Sequence, residues 1–204
     1  MCISHIILKS GVRVVDKREL RRRGLAGRRG VCGARRASYD HAIAQAVTAS
    51  EAFANASVVM AYCSVGGEVD VAETAALARA QGKTVVYPYC TNRTDMEALL
   101  PEAADAFLTD RNGMRAPDPA HAKRIDPSEI DLVLLPCTAF DESGNRIGMG
   151  AGCYDRFLPR CTRARTILVA YEAQRVDRID PEPTDIPAGL VVTERTAAPN
   201  PATL

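Results

Sequence analysis

The chain has 204 residues, with 26 basic and 25 acidic side chains for a net charge of +1, and 47% of it is apolar. That length fits a single domain, 1–204, with a sizeable core, and the balanced charge excludes a globally basic nucleic-acid binder, though not local basic patches. Tryptophan is absent, no apolar run approaches the roughly 20 residues of a membrane span, and the seven cysteines lie scattered without a C-x-x-C pair. That cysteine pattern argues against a zinc cluster or a disulfide framework and fits a cytoplasmic protein.

Residues 1–15 leave three readings open: an extra strand, a disordered start or an artefact of the assigned start. From Asp16 to Arg36 the chain is crowded with base, and Gly24, Gly27, Gly30 and Gly33 interrupt it at every third residue. Each glycine weakens a helix by about 1 kcal/mol relative to alanine, so the pattern predicts a helix near 17–23 with a loose continuation. Ser38 reads as the N-cap of a helix over 39–54. Residues 57–62 read as a buried strand. Asp70 and Glu73 resemble a capping box opening a helix that Gly82 stops. A strand over 83–88 follows. Residues 89–126, with prolines at 101, 117 and 119, are less regular. Further on come a strand at 132–135, a helix over 154–158, a strand at 166–171 and a proline-rich stretch with one short apolar segment, Leu190–Val192. The strand centres are continuously apolar rather than alternating, which predicts an α/β fold with a mainly parallel sheet covered on both faces. Ligands in such folds sit at the carboxyl ends of the strands, where the loops 63–69, 89–97 and 137–154 fall.

The last of these loops is the most informative. Residues 144–156 read Gly-Asn-Arg-Ile-Gly-Met-Gly-Ala-Gly-Cys-Tyr-Asp-Arg. Glycines after a strand let backbone N–H groups approach a phosphate, Arg146 adds fixed positive charge, and Asp155 is either a metal ligand or a first-turn helix acid. A lone Gly-x-Gly-x-Gly is also compatible with a tight exposed turn, and it lacks the Gly-Lys-Ser/Thr of a P-loop. Lys17 and Arg21, four apart on one helix face, form either a phosphate clamp or a solvated basic face. RNA binding by the arginine run is a further alternative, against which the glycines count. Glu68 is placed to accept paired N–H donors of a ligand, Cys63 to wall a pocket and Asp70 to cap a helix. Asp185, in Pro-Thr-Asp-Ile-Pro, reads as a turn acid or a second magnesium ligand beside Asp155. No Cys–His or Ser–His nucleophile pair is apparent.

Tyr62–Asp70, Pro136, Phe140-Asp141, Gly144-Asn-Arg146, Gly148, Gly150, Gly152, Tyr154-Asp155, Ala170–Gln174, Thr184–Pro187 and Val192–Glu194, preceded by Lys17…Leu20-Arg21, occur in an order that resembles the 5-formyltetrahydrofolate cyclo-ligase (methenyltetrahydrofolate synthetase) family. The resemblance implies a three-layer α/β/α fold of the sugar-phosphate isomerase and CoA-transferase type. It also implies ATP- and magnesium-dependent conversion of 5-formyltetrahydrofolate to 5,10-methenyltetrahydrofolate, ADP and phosphate. It places Lys17, Arg21, Arg146, Ile147, Gly148, Met149, Gly150, Ala151, Gly152, Cys153 and Tyr154 against ATP, with Arg146 and Tyr154 catalytic. Cys63, Glu68 and residues 149–153 would line the folate site, and Asp155 and Asp185 would serve magnesium. The family commonly has glycine or lysine where this chain has Ala151, and an aromatic residue where it has Cys153. The expected partners are small molecules, with neither membrane nor nucleic acid among them, and the expected state is a monomer. The alternatives are a paralogue that binds without turnover and, on fold analogy, an isomerase or CoA-transferase relative.

Overall fold

Successive residues of the central strands face opposite ways, and both faces are buried. Val59, Leu132, Leu134, Ile167 and Val169 join one apolar cluster, while Met60, Val133, Leu135 and Leu168 join another on the far side of the sheet. This is why the strands read as unbroken apolar runs. The computed structural model describes residues 16–103, 106–111 and 113–196; the expectations for 1–15 lie outside the described residues. The helices are α1 (Lys17–Arg29), α2 (Gly33–Thr48), α3 (Glu51–Ala54), α4 (Ala72–Ala80) and α5 (Cys153–Phe157). The main sheet contains β1 (Val58–Met60), β2 (Thr84–Cys90), β3 (Met96–Pro101), β6 (Ala122–Ile125), β7 (Leu132–Leu135), β10 (Arg165–Val169) and β11 (Leu190–Val192), in the order β11-β10-β7-β1-β2-β3-β6. The pairings from β11 to β2 are parallel, and β2–β3 and β3–β6 are antiparallel. The fold is α/β, as expected. Two small hairpins lie outside this sheet: β4 (Phe107–Thr109) with β5 (Arg115–Pro117), and β8 (Ala139–Phe140) with β9 (Arg146–Ile147).

The order of the strands positions the site. From β1 the chain crosses through α4 to β2, on the side of the first cluster; from β7 it crosses through α5 to β10, on the side of the second. β1 and β7 are parallel neighbours, so their connections leave in opposite directions and toward opposite faces. That divergence opens a crevice at the carboxyl ends of the two strands, and the loops 63–69 and 137–152 both enter it.

Several sequence expectations are corrected. The first helix does not loosen after residue 23: it continues to Arg29. Gly24 and Gly27 are required there because the helix lies against backbone, and a Cβ on them would stand 2.0 Å from the Thr138 carbonyl oxygen and 1.9 Å from that of Ala173. Ser38 is no N-cap. It lies inside α2, which starts at Gly33, and the stretch to 54 is broken at Ser50, whose hydroxyl caps α3 by accepting from Phe53 N–H. Asp70 does accept from the Ala72 N–H, but Glu73 turns to His41 instead of closing a capping box. Residues 89–126 supply the antiparallel part of the sheet and the β4–β5 hairpin rather than irregular chain.

Candidate active site

Asp141 shapes the glycine loop before any ligand meets it. Its carboxylate accepts from the backbone N–H of Ser143 and Asn145, from Asn145 Nδ2 and from the Ile179 N–H, each at 2.9–3.0 Å. The chain is thereby folded back through Gly144 (φ +80) into the β8–β9 hairpin. Beyond β9 the loop runs through Gly150 (φ +102) and Gly152 (φ +65), conformations that suit glycine, before α5 begins at Cys153.

Around this loop the structure gathers residues from both ends of the chain. Arg21, on α1, donates from Nε to the Gly148 carbonyl at 2.9 Å. One turn earlier on the same face, Lys17 Nζ lies 2.8 Å from Asp185 Oδ2 and 2.9 Å from Glu182 Oε1. Arg146, its side chain only 6% exposed, pairs with Asp155 Oδ1 at 2.7 Å and donates to the Ile186 carbonyl. The Ile186 N–H reaches the same Asp155 oxygen at 3.3 Å. Asp155 and Asp185 are therefore neighbours on one rim, each covered by a cation. Burial disfavours the ionised Asp185, but the Lys17 ammonium and the Glu182 N–H outweigh it and hold the carboxyl below the usual aspartate range. Burial likewise works against charge on Lys17, and the two acids prevail and raise it.

The Cys63–Asp70 loop meets the same crevice. Glu68 is 8% exposed. Its Oε2 accepts from the Val65 N–H at 3.1 Å, its Oε1 lies 3.5 Å from Arg28 Nη1, and its backbone carbonyl accepts from Arg36 at 2.9 Å. Burial pushes the Glu68 carboxyl up, against the Val65 N–H and Arg28. Its charge is felt by Tyr62, Cys137 and Tyr154, so this loop and the start of α5 form one electrostatic unit. Cys63 is half-buried, and burial raises its thiol.

Most of the expected residues come together, but not all face the crevice. The Ile147 side chain is buried in a small core with Leu20, Ala139 and Ile179. Tyr154 is held protonated, principally by burial and then by Glu68, which suits a hydrogen-bond donor and not a base. Cys153 points its sulfur toward the turn after β2, donating to the Arg93 carbonyl at 3.7 Å; a hydrogen bond from Cys90 lowers its thiol to about 7. Met149, 71% exposed, stands at the loop tip. Two residues escaped the sequence reading: Asp141 as organiser of the loop, and Arg28 beneath Glu68. The only signal for Arg28 was its place on the i, i+4, i+8 stripe begun by Leu20 and Gly24, the buried stripe of α1. A separate open cleft of about 630 Å³, lined by Glu142, Ser143, Arg175 and Leu190 among others, lies along β11 and contains none of the expected site residues.

The two acids on the rim fit magnesium, which takes one or two carboxylates and completes its shell with water and phosphate oxygens; no cluster of three or more acidic, histidine or cysteine ligands occurs among the described residues. A glycine-lined crevice at the switch point of a mainly parallel α/β sheet, with basic side chains on its rim, is the kind of place where such folds hold anionic ligands. The chain belongs to the 5-formyltetrahydrofolate cyclo-ligase family, whose model matches residues 13–194. It is 43% identical over 68 residues to the 5-formyltetrahydrofolate cyclo-ligase of Escherichia coli, a match spanning 32% of this chain and 37% of that protein. The match therefore covers little more than a third of that relative's length. With the Saccharomyces cerevisiae 5-formyltetrahydrofolate cyclo-ligase the identity is 29% over 185 residues, covering 81% of this chain and 79% of the relative. The fold matches the solution structure of Aquifex aeolicus 5,10-methenyltetrahydrofolate synthetase with a TM-score of 0.76 at 26% identity, over 88% of this chain and 90% of that one.

Proposed function

We propose that the protein cyclises 5-formyltetrahydrofolate to 5,10-methenyltetrahydrofolate, consuming ATP and releasing ADP and phosphate. The observation that carries this reading is a set of three charged contacts at the glycine loop and its flanks: Arg21 on the Gly148 carbonyl, Arg146 on Asp155 at the start of α5, and Lys17 on Asp185, 168 positions away in the chain. Three fixed cations and a run of glycine N–H groups suit a triphosphate, while Glu68 and Cys63 on the 63–70 loop suit the polar ring of a folate.

The chemistry requires positioning more than covalent help. A formyl oxygen bonded to carbon is a poor leaving group. Transfer of the γ-phosphoryl group onto that oxygen breaks the bond to ADP and makes the oxygen part of a phosphate. The neighbouring nitrogen of the folate then attacks the formyl carbon and loses its proton, and phosphate departs with the former formyl oxygen. Lys17 and Arg21 neutralise the triphosphate. In this reading Arg146 stabilises the charge that builds on the transferred group, and the protonated Tyr154 donates a hydrogen bond at the start of α5. Asp155 and Asp185 would hold magnesium, which would supply neutralisation of phosphate charge. In that role the two carboxylates would be shared between the metal and their present partners, Arg146 and Lys17.

The test is direct. Protein, ATP, magnesium and 5-formyltetrahydrofolate should together yield methenyl absorbance, and omission of ATP should abolish it. Binding of both ligands without product would instead mark a folate- and nucleotide-binding relative that does not turn over. Product formed without ATP would exclude the ligase reading.

A further inference from the structure

Arg28 is a full charge buried to 4% exposure, and its Nε–H has no hydrogen-bond partner in the structure. Burying such a donor unpaired is unfavourable, and nothing in the packing of α1 demands it, since the same stripe is continued by Leu20 and Gly24. What Arg28 meets is the loop carrying Glu68. The side chains of the pair are 5% and 9% exposed, and the 3.5 Å between Nη1 and Oε1 is longer than the roughly 2.7–2.9 Å of a tight charge-assisted bond. The loop folds around the guanidinium so closely that a Cβ on Gly66 would stand 3.4 Å from Nη2. The other groups facing the carboxylate are Tyr62 at the end of β1, Cys137 after β7 and Tyr154 on α5, all kept neutral by burial; Arg36, from α2, engages the Glu68 carbonyl instead.

We propose that Arg28 is the positioning residue for Glu68, holding its carboxylate ionised and aimed so that it accepts the adjacent N–H donors of a pterin-type ring. This rests on the reading of Glu68 as a folate ligand. Arg28 touches no substrate. It acts through the acid, and the long separation leaves Oε1 with capacity to share between the guanidinium and the ring.

Three variants test it: Arg28→Met, Glu68→Gln and the two combined. Arg28→Met should raise the KM for 5-formyltetrahydrofolate about tenfold with kcat and the KM for ATP nearly unchanged, and should move the acid limb of kcat/KM upward by roughly one pH unit, as loss of a nearby opposite charge requires. An unchanged folate KM and acid limb would overturn the proposal. Because a lone buried carboxylate can prevent folding, the double variant provides an independent reading: if Arg28 works only through Glu68, the double variant has the folate KM of Glu68→Gln alone, and any further loss of more than a few-fold refutes it. The dependence on the earlier reading is separable. A wild-type folate KM in Glu68→Gln removes Glu68 from the folate site, whereas a raised KM there with no effect of Arg28→Met removes only Arg28.

Discussion

At the scale of single residues, the candidate site is a set of charges already paired with one another. Asp185 has a native pKa below its ordinary value and Lys17 one above. The Asp185 contribution to stability is therefore present above the ordinary aspartate range and is lost as pH falls through the lower native value. The Lys17 contribution is complete below the ordinary lysine range and is lost as pH rises through the higher native value. The clasp should hold throughout the neutral range, and Asp185→Asn should remove part of the acid limb of the stability curve while leaving the neutral-to-mildly alkaline region flat, as followed by denaturant midpoints against pH. Asp155 has a different test. Asp155→Asn should lower magnesium-dependent turnover by about tenfold or more with folate affinity little changed, and equal loss of both would remove its metal role. Cys153 carries a third. With its thiol lowered to about 7 by Cys90, against burial and with help from Arg156, its alkylation by iodoacetamide should rise with a midpoint near neutrality, whereas Cys137, pushed by burial to about 12, should stay unlabelled in the native protein. Peptide mapping after labelling across pH checks both.

At the scale of elements, α1 shows how a helix former and a helix breaker exchange meanings. Alanine at positions 24 and 27 improves intrinsic helix propensity by about 1 kcal/mol each. Yet it places a methyl group within 2.0 Å of the Thr138 carbonyl oxygen and 1.9 Å of the Ala173 oxygen, backbone atoms that cannot swing aside. Overpacking of this kind costs about 1–3 kcal/mol, and displacement of α1 also separates Lys17 and Arg21 from the loop. Gly24→Ala and Gly27→Ala should each destabilise the protein by about 2 kcal/mol in urea unfolding, the opposite of what a helix scale foretells, and should weaken nucleotide affinity in what remains folded. The glycines were legible in the sequence, but their reason was not, because it lies in carbonyls more than a hundred residues away. The parallel strands, by contrast, were readable, since burial on both faces leaves an apolar run in each. The antiparallel strands between Met96 and Ile125 were hidden by prolines and short length. Arg28 was hidden because a sequence displays charge and not burial, whereas the acidic and glycine motifs of the site announced themselves by order and type.

At the scale of the molecule, the crevice joins parts of the fold that pack on different sides of the sheet, so a ligand that bridges them should stabilise the whole. A non-hydrolysable ATP analogue with magnesium, bound as proposed at a hundred times its Kd, adds about 2.7 kcal/mol to the native state, a rise in melting temperature of roughly 5–10 °C for a chain of this size. Lys17→Met should remove most of that shift. The Lys17–Asp185 clasp, spanning 168 positions, also has a consequence during synthesis. At typical elongation rates the lysine precedes the aspartate out of the ribosome by on the order of ten seconds. Until then α1 carries its cations with no acidic rim to meet them, and the crevice lacks one wall. Nucleotide retention thus becomes a readout of chain completion: stalled nascent chains ending before Glu182 should not retain the analogue, while chains extended past Val192 and clear of the exit tunnel should.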